Sequence, residues 1–128
     1  EIKKQIKLIL KKNKNNLNKL ESVIHPFVRK EMKNFLKKKK KLLFLEIPLL
    51  LESKLNNYFD KLIFVGANKN LRLERYLKKQ GDKRTFILLD KRQLSPAFKK
   101  NICDYTINNN YSLAILKKNV KNFTKKYE

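Results

Sequence analysis

Cysteine and histidine occur once each in the 128 residues. A single Cys excludes an internal disulfide, and one Cys with one His excludes a Cys/His metal cluster or zinc ribbon. Two Gly and three Pro leave little room for a succession of tight turns, which argues against a small all-β barrel or sandwich. Acidic residues are scarce: 11 Asp and Glu face 33 Lys and Arg, for a formal net charge of +22. The longest apolar run, residues 42–51, is interrupted by Glu46 and is too short to span a bilayer. Hydrophobic residues nevertheless make up 41%, enough for a modest core, so the chain is not a disordered polybasic tail. Its length suits one domain or part of one.

The positive charge comes from 28 Lys and only 5 Arg, beside 15 Asn. Lys, Asn and Ile are the residues of A/T-rich codons, and the lysines are spread throughout, as compositional drift would spread them. Proteins that read bases favour the bidentate fork of Arg, which is rare here. The densest run, residues 37–41, reads either as a solvated helix end or as a polyanion patch. An anionic substrate such as a nucleotide would gain from the field in both cases. Residues 1–14 mix Lys with Ile and Leu at helical spacing and contain no apolar signal segment, so a cytoplasmic protein is expected. The chain opens on Glu1 rather than Met, which suggests a fragment or a processed product.

Ile2, Ile6, Ile9 and Leu10 predict a first amphipathic helix over residues 1–14. After an Asn-rich break, Leu17, Leu20, Ile24, Phe27, Val28, Met32, Phe35 and Leu36 continue a helical stripe, with Pro26 expected to kink it or start it anew. Residues 42–47 form a nearly continuous apolar run, as does 61–66; both predict strands buried on two faces, as in a parallel sheet. A short helix and loop is expected over 49–58, a helix over 69–79, a polar loop over 80–84 and a helix over 85–92. Ser95 and Pro96 predict another helix start, as N-cap and first residue. A third strand is expected at 105–107 and a last amphipathic helix at 111–127. Strands alternating with helices give an α/β fold with a parallel sheet and flanking helices. Ligands of such sheets bind at the carboxyl ends of the strands, here Glu46-Ile47-Pro48, Val65-Gly66-Ala67 and Ile107-Asn108-Asn109. No internal repeat or domain linker interrupts the pattern.

Several of these segments are informative together: His25-Pro26 in a helical stripe; Leu45-Glu46-Ile47-Pro48-Leu49-Leu50-Leu51-Glu52; Arg72 and Arg75 on a helix; Arg84 in a polar loop; Gln93-Leu94-Ser95; and Asp104-Tyr105-Thr106-Ile107-Asn108-Asn109. The ordered set resembles the dephospho-CoA kinase family, over about residues 17–123. The resemblance implies a nucleoside-monophosphate-kinase-like P-loop fold. It also implies transfer of the ATP γ-phosphate to the ribose 3′-hydroxyl of dephospho-CoA, the last step of coenzyme A biosynthesis, with Mg²⁺. On that reading residues 1–128 are a single partial kinase domain. About 17–60 serve the acceptor substrate, about 72–98 form the lid, and 104–127 are the C-terminal strand and helix.

The same resemblance carries roles to individual residues. Arg75 and Arg84 match lid arginines that would neutralise charge on the transferring phosphoryl group. Drift towards Lys makes a retained Arg more telling. His25 would hold part of dephospho-CoA; its plain reading is a helix-kink histidine bonded to a carbonyl. Pro48 and Glu52 belong to a PLL-x-E segment that would shape the acceptor site, or else a strand-to-helix turn with a capping Glu. Glu46 stands where P-loop enzymes often carry a Mg²⁺-organising carboxylate, and a solvated Glu is its alternative. Asn108 would pair with an adenine edge, although Asn109 and Asn110 beside it suit a plain turn. Gln93 matches the Gln before the last lid helix. Cys103 reads as a buried structural thiol.

The family's G-x-x-x-x-G-K-[ST] loop would precede all of this, and its general base, an Asp, would follow that loop. Gly66 and Gly81 are the only glycines, and neither begins such a motif. Without the cradle of P-loop amides and Lys, the β- and γ-phosphates lose their seat. These residues alone are therefore expected to be catalytically incompetent, and the folded chain marginal in stability. The partners expected are dephospho-CoA and ATP, with no specific nucleic acid and no membrane; the oligomeric state is open. The rivals are a non-enzymatic basic module that binds RNA or another polyanion, and an inactive kinase relic.

Overall fold

A computed structural model describes residues 15–38 and 42–127. The chain divides into two compact units, Glu1–Leu45 and Glu46–Glu128. The helix expected over 1–14 lies outside the described residues, as do the last three lysines of the 37–41 run.

In the first unit, α1 runs from Asn15 to Leu36 with Pro26 inside it. Pro26 therefore starts no new helix, although its ring nitrogen cannot donate to the carbonyl one turn earlier. Met32 is buried, whereas Ile24, Phe27 and Val28 are 43%, 69% and 43% exposed. The apolar stripe expected to face a core is thus open over its middle turns.

Residues 42–47 form no strand, which corrects the expectation of a buried one. Leu42, Phe44 and Glu46 are exposed while Leu43, Leu45 and Ile47 are half-buried. The alternation is that of an extended segment, but no described strand pairs with it, and apolar content alone does not supply ladder hydrogen bonds.

The second unit opens with consecutive turns instead of the expected helix. Leu49 and Lys54 have φ values of 57° and 54°, and a left-handed residue cannot continue a right-handed helix. Bonds from Ser53 N to Leu49 O and from Leu55 N to Leu50 O close these turns. They bury Leu55 and end in a 3₁₀ turn at Asn56–Tyr58.

The remaining elements are β1 (Ile63–Gly66), α2 (Lys69–Lys78), α3 (Lys83–Asp90), α4 (Pro96–Ile102), β2 (Tyr105–Asn108) and α5 (Leu113–Thr124). The two strands pair in parallel, with Ile63 opposite Tyr105 and Gly66 opposite Asn108. Asp104 ties their starting ends together. It accepts from Leu62 N at 2.8 Å and from Lys61 Nζ at 2.9 Å, and the Lys61 bond, followed by the Leu62 amide, holds its carboxyl below the usual range. Burial is uneven: Ile107 is 5% exposed and its register partner Val65 56%. β1 is therefore not enclosed on both faces as expected. Among the described residues the sheet has two strands, too narrow to bury both sides as a wider parallel sheet does.

Caps set most helix limits. Ser95 accepts from Phe98 N, with Pro96 first in α4, as the sequence predicts. Ser112 accepts from Ile115 N and starts α5 at Leu113. Asp82 accepts from Thr85 N at 2.9 Å and from Thr85 Oγ1 at 2.7 Å. This cap begins α3 at Lys83 and moves Arg84 from the expected loop into the first helical turn. The turn between α2 and α3 needs Gly81: a Cβ there would fall on the Tyr76 ring. Packing centres on Phe86, Ile107 and Phe123, all buried. Phe123 of α5 stacks obliquely on Tyr105 of β2, with ring centroids 4.7 Å apart. Burying one such ring stabilises by about 2–3 kcal/mol.

Candidate active site

The carboxyl ends of β1 and β2 are joined by more than the ladder. Asn109 N donates to Gly66 O at 2.8 Å, extending the pairing past the strands. Asn110 then bridges to the other loop: its Oδ1 accepts from Asn68 N at 2.7 Å, and its Nδ2 donates to Asn68 Oδ1 at 3.2 Å. Asn108 turns inward on this loop, its Oδ1 accepting from Asn110 N at 3.0 Å. Its side chain therefore bonds the backbone of its own loop two residues on.

Two arginines of α2 reach this edge. Arg75 Nη1 donates to Asn109 O at 2.9 Å. Arg72 Nε donates to Ala67 O at 3.2 Å, and its Nη1 pairs with Asp90 Oδ1 at 2.8 Å. Lys69 takes the other oxygen of Asp90, also at 2.8 Å. Hydrogen bonds from Lys69 and, less strongly, Arg72 hold the Asp90 carboxyl below its usual range against the opposing effect of burial. Asp90 thereby fastens the end of α3 to the start of α2, and the Arg72 guanidinium lies 5.7 Å over the Phe86 ring. The result is a cationic rim at the sheet edge where α/β folds bind ligands, held by backbone carbonyls and one carboxylate. Arg84 is exposed on α3.

Glu52 occupies a second centre. Its Oε1 accepts from Leu94 N at 2.8 Å and pairs with Lys99 Nζ at 2.9 Å. The two side chains are 13% and 12% exposed. Burial, the largest single influence, pushes the Glu52 carboxyl upward; the Lys99 hydrogen bond and the Leu94 amide outweigh it, leaving the group below its usual range. Pro48, exposed, begins the turns that carry Glu52. Lys99 Nζ also donates to Gln93 Oε1 at 3.3 Å. Two separately noted sequence segments, one ending at Glu52 and one starting at Gln93, thus meet directly through the Leu94 amide and again through Lys99.

Glu46 is exposed on the extended segment before the turns. Among the described residues no three His, Cys, Asp or Glu side chains gather as a metal site. A lone carboxylate such as Glu46 can serve Mg²⁺ only together with phosphate oxygens and waters. His25 is half-buried on α1, in the first unit. Cys103 is half-buried and its thiol is pushed up, by burial first and by Asp104 second. Lys99, Asn68, Asp90 and the bridging role of Asn110 escaped the sequence reading. Their partners lie far along the chain, and Lys99 is one lysine among 28.

A profile of the dephospho-CoA kinase family matches residues 3–114. The chain is 34% identical to a dephospho-CoA kinase of Fusobacterium nucleatum over 125 residues, covering 94% of this chain and 64% of the relative. It is 29% identical to that of Agrobacterium fabrum over 123 residues, covering 92% and 63%. The crystal structure of a Thermus thermophilus protein shares the fold, with a TM-score of 0.73 at 23% identity, over 97% of this chain and 66% of that one. The chain spans between about half and two thirds of the length of the curated relatives it matches (52–64%). Set beside the cationic rim and the Glu52 centre, these matches agree: the chain belongs to the dephospho-CoA kinase family.

Proposed function

We propose that these residues are the acceptor-binding and lid part of an enzyme that moves the ATP γ-phosphoryl group to the ribose 3′-hydroxyl of dephospho-CoA. Residues 17–60 serve the acceptor, 72–98 the lid, and 104–127 close the sheet. The observation that carries the reading is the Arg75 bond to Asn109 O at the strands' carboxyl edge. It fixes a cation where the charge of a transferring phosphoryl group needs to be met. Arg84, exposed on α3, is the second lid cation. Pro48 and Glu52 shape the acceptor site, with His25 as a further acceptor contact. Asn108 lies at the nucleotide edge, where its loop sets the shape of the site.

Catalysis of this kind is positioning and electrostatics without a covalent enzyme intermediate. ATP is the phosphoryl donor, and Mg²⁺ belongs to the same family chemistry. Glu46 is the carboxylate that would serve that ion, together with phosphate oxygens. Gly66 and Gly81 do not make a phosphate-cradling loop. The 128 residues by themselves then bind the acceptor without phosphorylating it. A cytoplasmic location is part of this reading. No helix among the described residues is long and apolar enough to cross a membrane.

A calorimetric titration of the purified chain with dephospho-CoA, alongside a phosphoryl-transfer assay with ATP and Mg²⁺, tests the proposal. Saturable dephospho-CoA binding with no transfer is expected. A second reading, a basic polyanion-binding module, has one observation in its favour. Arg29, Lys30, Lys33 and Lys37 line an open cleft of about 370 Å³ along α1. Steeply salt-dependent binding of any RNA, with no response to dephospho-CoA, would favour that module and the loss of kinase function.

A further inference from the structure

Lys99 sits where three segments converge. Its ammonium is 2.9 Å from Glu52 Oε1, 3.3 Å from Gln93 Oε1 and 6.0 Å from the centre of the Phe64 ring on β1. Its side chain is 12% exposed. A buried lysine is costly unless its charge is met and its hydrogens are used. Glu52 meets the charge, while its Oε2 is buried with no hydrogen-bond partner among the described residues. The pair joins the turns after Pro48 to α4. Its geometry spends Oε1 twice, on Lys99 and on Leu94 N, and leaves the other oxygen unmet. One carboxylate oxygen thus gathers a backbone amide at the end of the lid region and an ammonium of α4.

We propose that Lys99 is a positioning residue of the acceptor site. Through Glu52 it fixes the turns that follow Pro48, and through Gln93 and the Leu94 amide it registers the end of the lid region against them. Acceptor loading at one segment is thereby felt at the other. The inference rests on the acceptor reading given above. Lys99 touches no substrate in it; it acts through Glu52 and Gln93.

The test uses the 128-residue chain, labelled with ¹⁵N and titrated with dephospho-CoA. The unsubstituted protein is compared with Lys99→Met, Lys99→Arg, Glu52→Gln and the Lys99→Met/Glu52→Gln pair. In the unsubstituted chain the amide signals of residues 49–53 and of Leu94 are expected to move together on titration. Lys99→Met and Glu52→Gln each weaken binding about tenfold, and the pair is no worse than either alone, as coupled residues require. Lys99→Arg restores most of the affinity. A Lys99→Met protein that melts earlier but binds dephospho-CoA unchanged overturns the proposal, because the residue is then only structural. Should Lys99→Met fail to fold, Glu52→Gln and Lys99→Arg decide in the same way: unchanged affinity in Glu52→Gln, or no rescue relative to it in Lys99→Arg, sinks the idea. An unsubstituted chain that ignores dephospho-CoA overturns the acceptor role itself. The linkage then stands only if substituting Lys99 shifts both Leu94 and residues 49–53 in the ligand-free chain.

Discussion

Arg75 of α2 donates to the main-chain carbonyl of Asn109 across 34 residues of sequence, at 2.9 Å. A guanidinium spent on a neutral carbonyl keeps its charge uncompensated by a carboxylate at that atom, so the bond anchors the side chain while leaving its field available. The arrangement differs from that of Arg72, whose charge is met by Asp90 at 2.8 Å.

Removing the anchor should be felt in stability first. Arg75→Met is expected to cost about 1.5–3 kcal/mol, the worth of a hydrogen bond from a charged donor to a half-buried carbonyl. Arg75→Lys keeps the charge and loses the fork, and should recover less than half of that loss. Urea denaturation of the two variants against the unsubstituted chain measures both.

Gly81 gives a steric prediction. Gln80 has a φ of 61°, and any Cβ on the next residue would fall on the Tyr76 ring. Gly81→Ala should destabilise by about 1–3 kcal/mol through overpacking. Tyr76→Leu in the same chain should restore part of the loss, since the clash is with that ring. A thermal melt in which Gly81→Ala matches the parent would show that the turn can relax.

The Glu52 carboxyl titrates below its ordinary value because the Lys99 and Leu94 hydrogen bonds outweigh burial. A depressed carboxylate contributes stability that is complete above its unfolded value, about 4.3. That contribution is lost as pH falls through the lower folded value. Melting temperatures of the parent and of Glu52→Gln should therefore differ most above about pH 5 and converge as the pH drops below about 4. A constant difference across that range would mean that Glu52 acts by packing and not by charge.

Cys103 should be a poor nucleophile. Burial and the neighbouring Asp104 both raise its thiol, so less thiolate is present at neutral pH than for a free cysteine. Alkylation by iodoacetamide at about pH 7.5 is expected to run slower than that of glutathione, and to speed up when the chain is unfolded in urea.

The local signals in the sequence were reliable where the chemistry is local. Ser95 with Pro96 marks the start of α4, the apolar run at 61–66 contains β1, and the strand expected at 105–107 is β2 but for its last residue, Asn108. Residues 42–47 have the same apolar character without a described partner strand, and composition cannot report pairing. The start of α3 was misplaced because Asp82 caps it through Thr85, and Asp before Lys-Arg reads as a polar loop until that bond is seen. For the site, Arg75, Glu52 and Gln93 stood out through the family resemblance. Lys99, Asn68 and Asn110 did not, since a chain rich in Lys and Asn gives no contrast to the few that join distant segments.

The parallel pairing of β1 with β2 constrains the order of folding. Ile63 meets Tyr105 only after the intervening α2, α3 and α4 have returned the chain to the first strand. Closing so long a loop costs entropy before any ladder bond repays it, and non-local pairing of this kind slows folding. The α2–α3 hairpin, locked by its own Asp90 contacts, can form early and shorten the search. Pulse-labelled hydrogen exchange during refolding should then protect the amides of α2 and α3 before those of Val65 and Ile107.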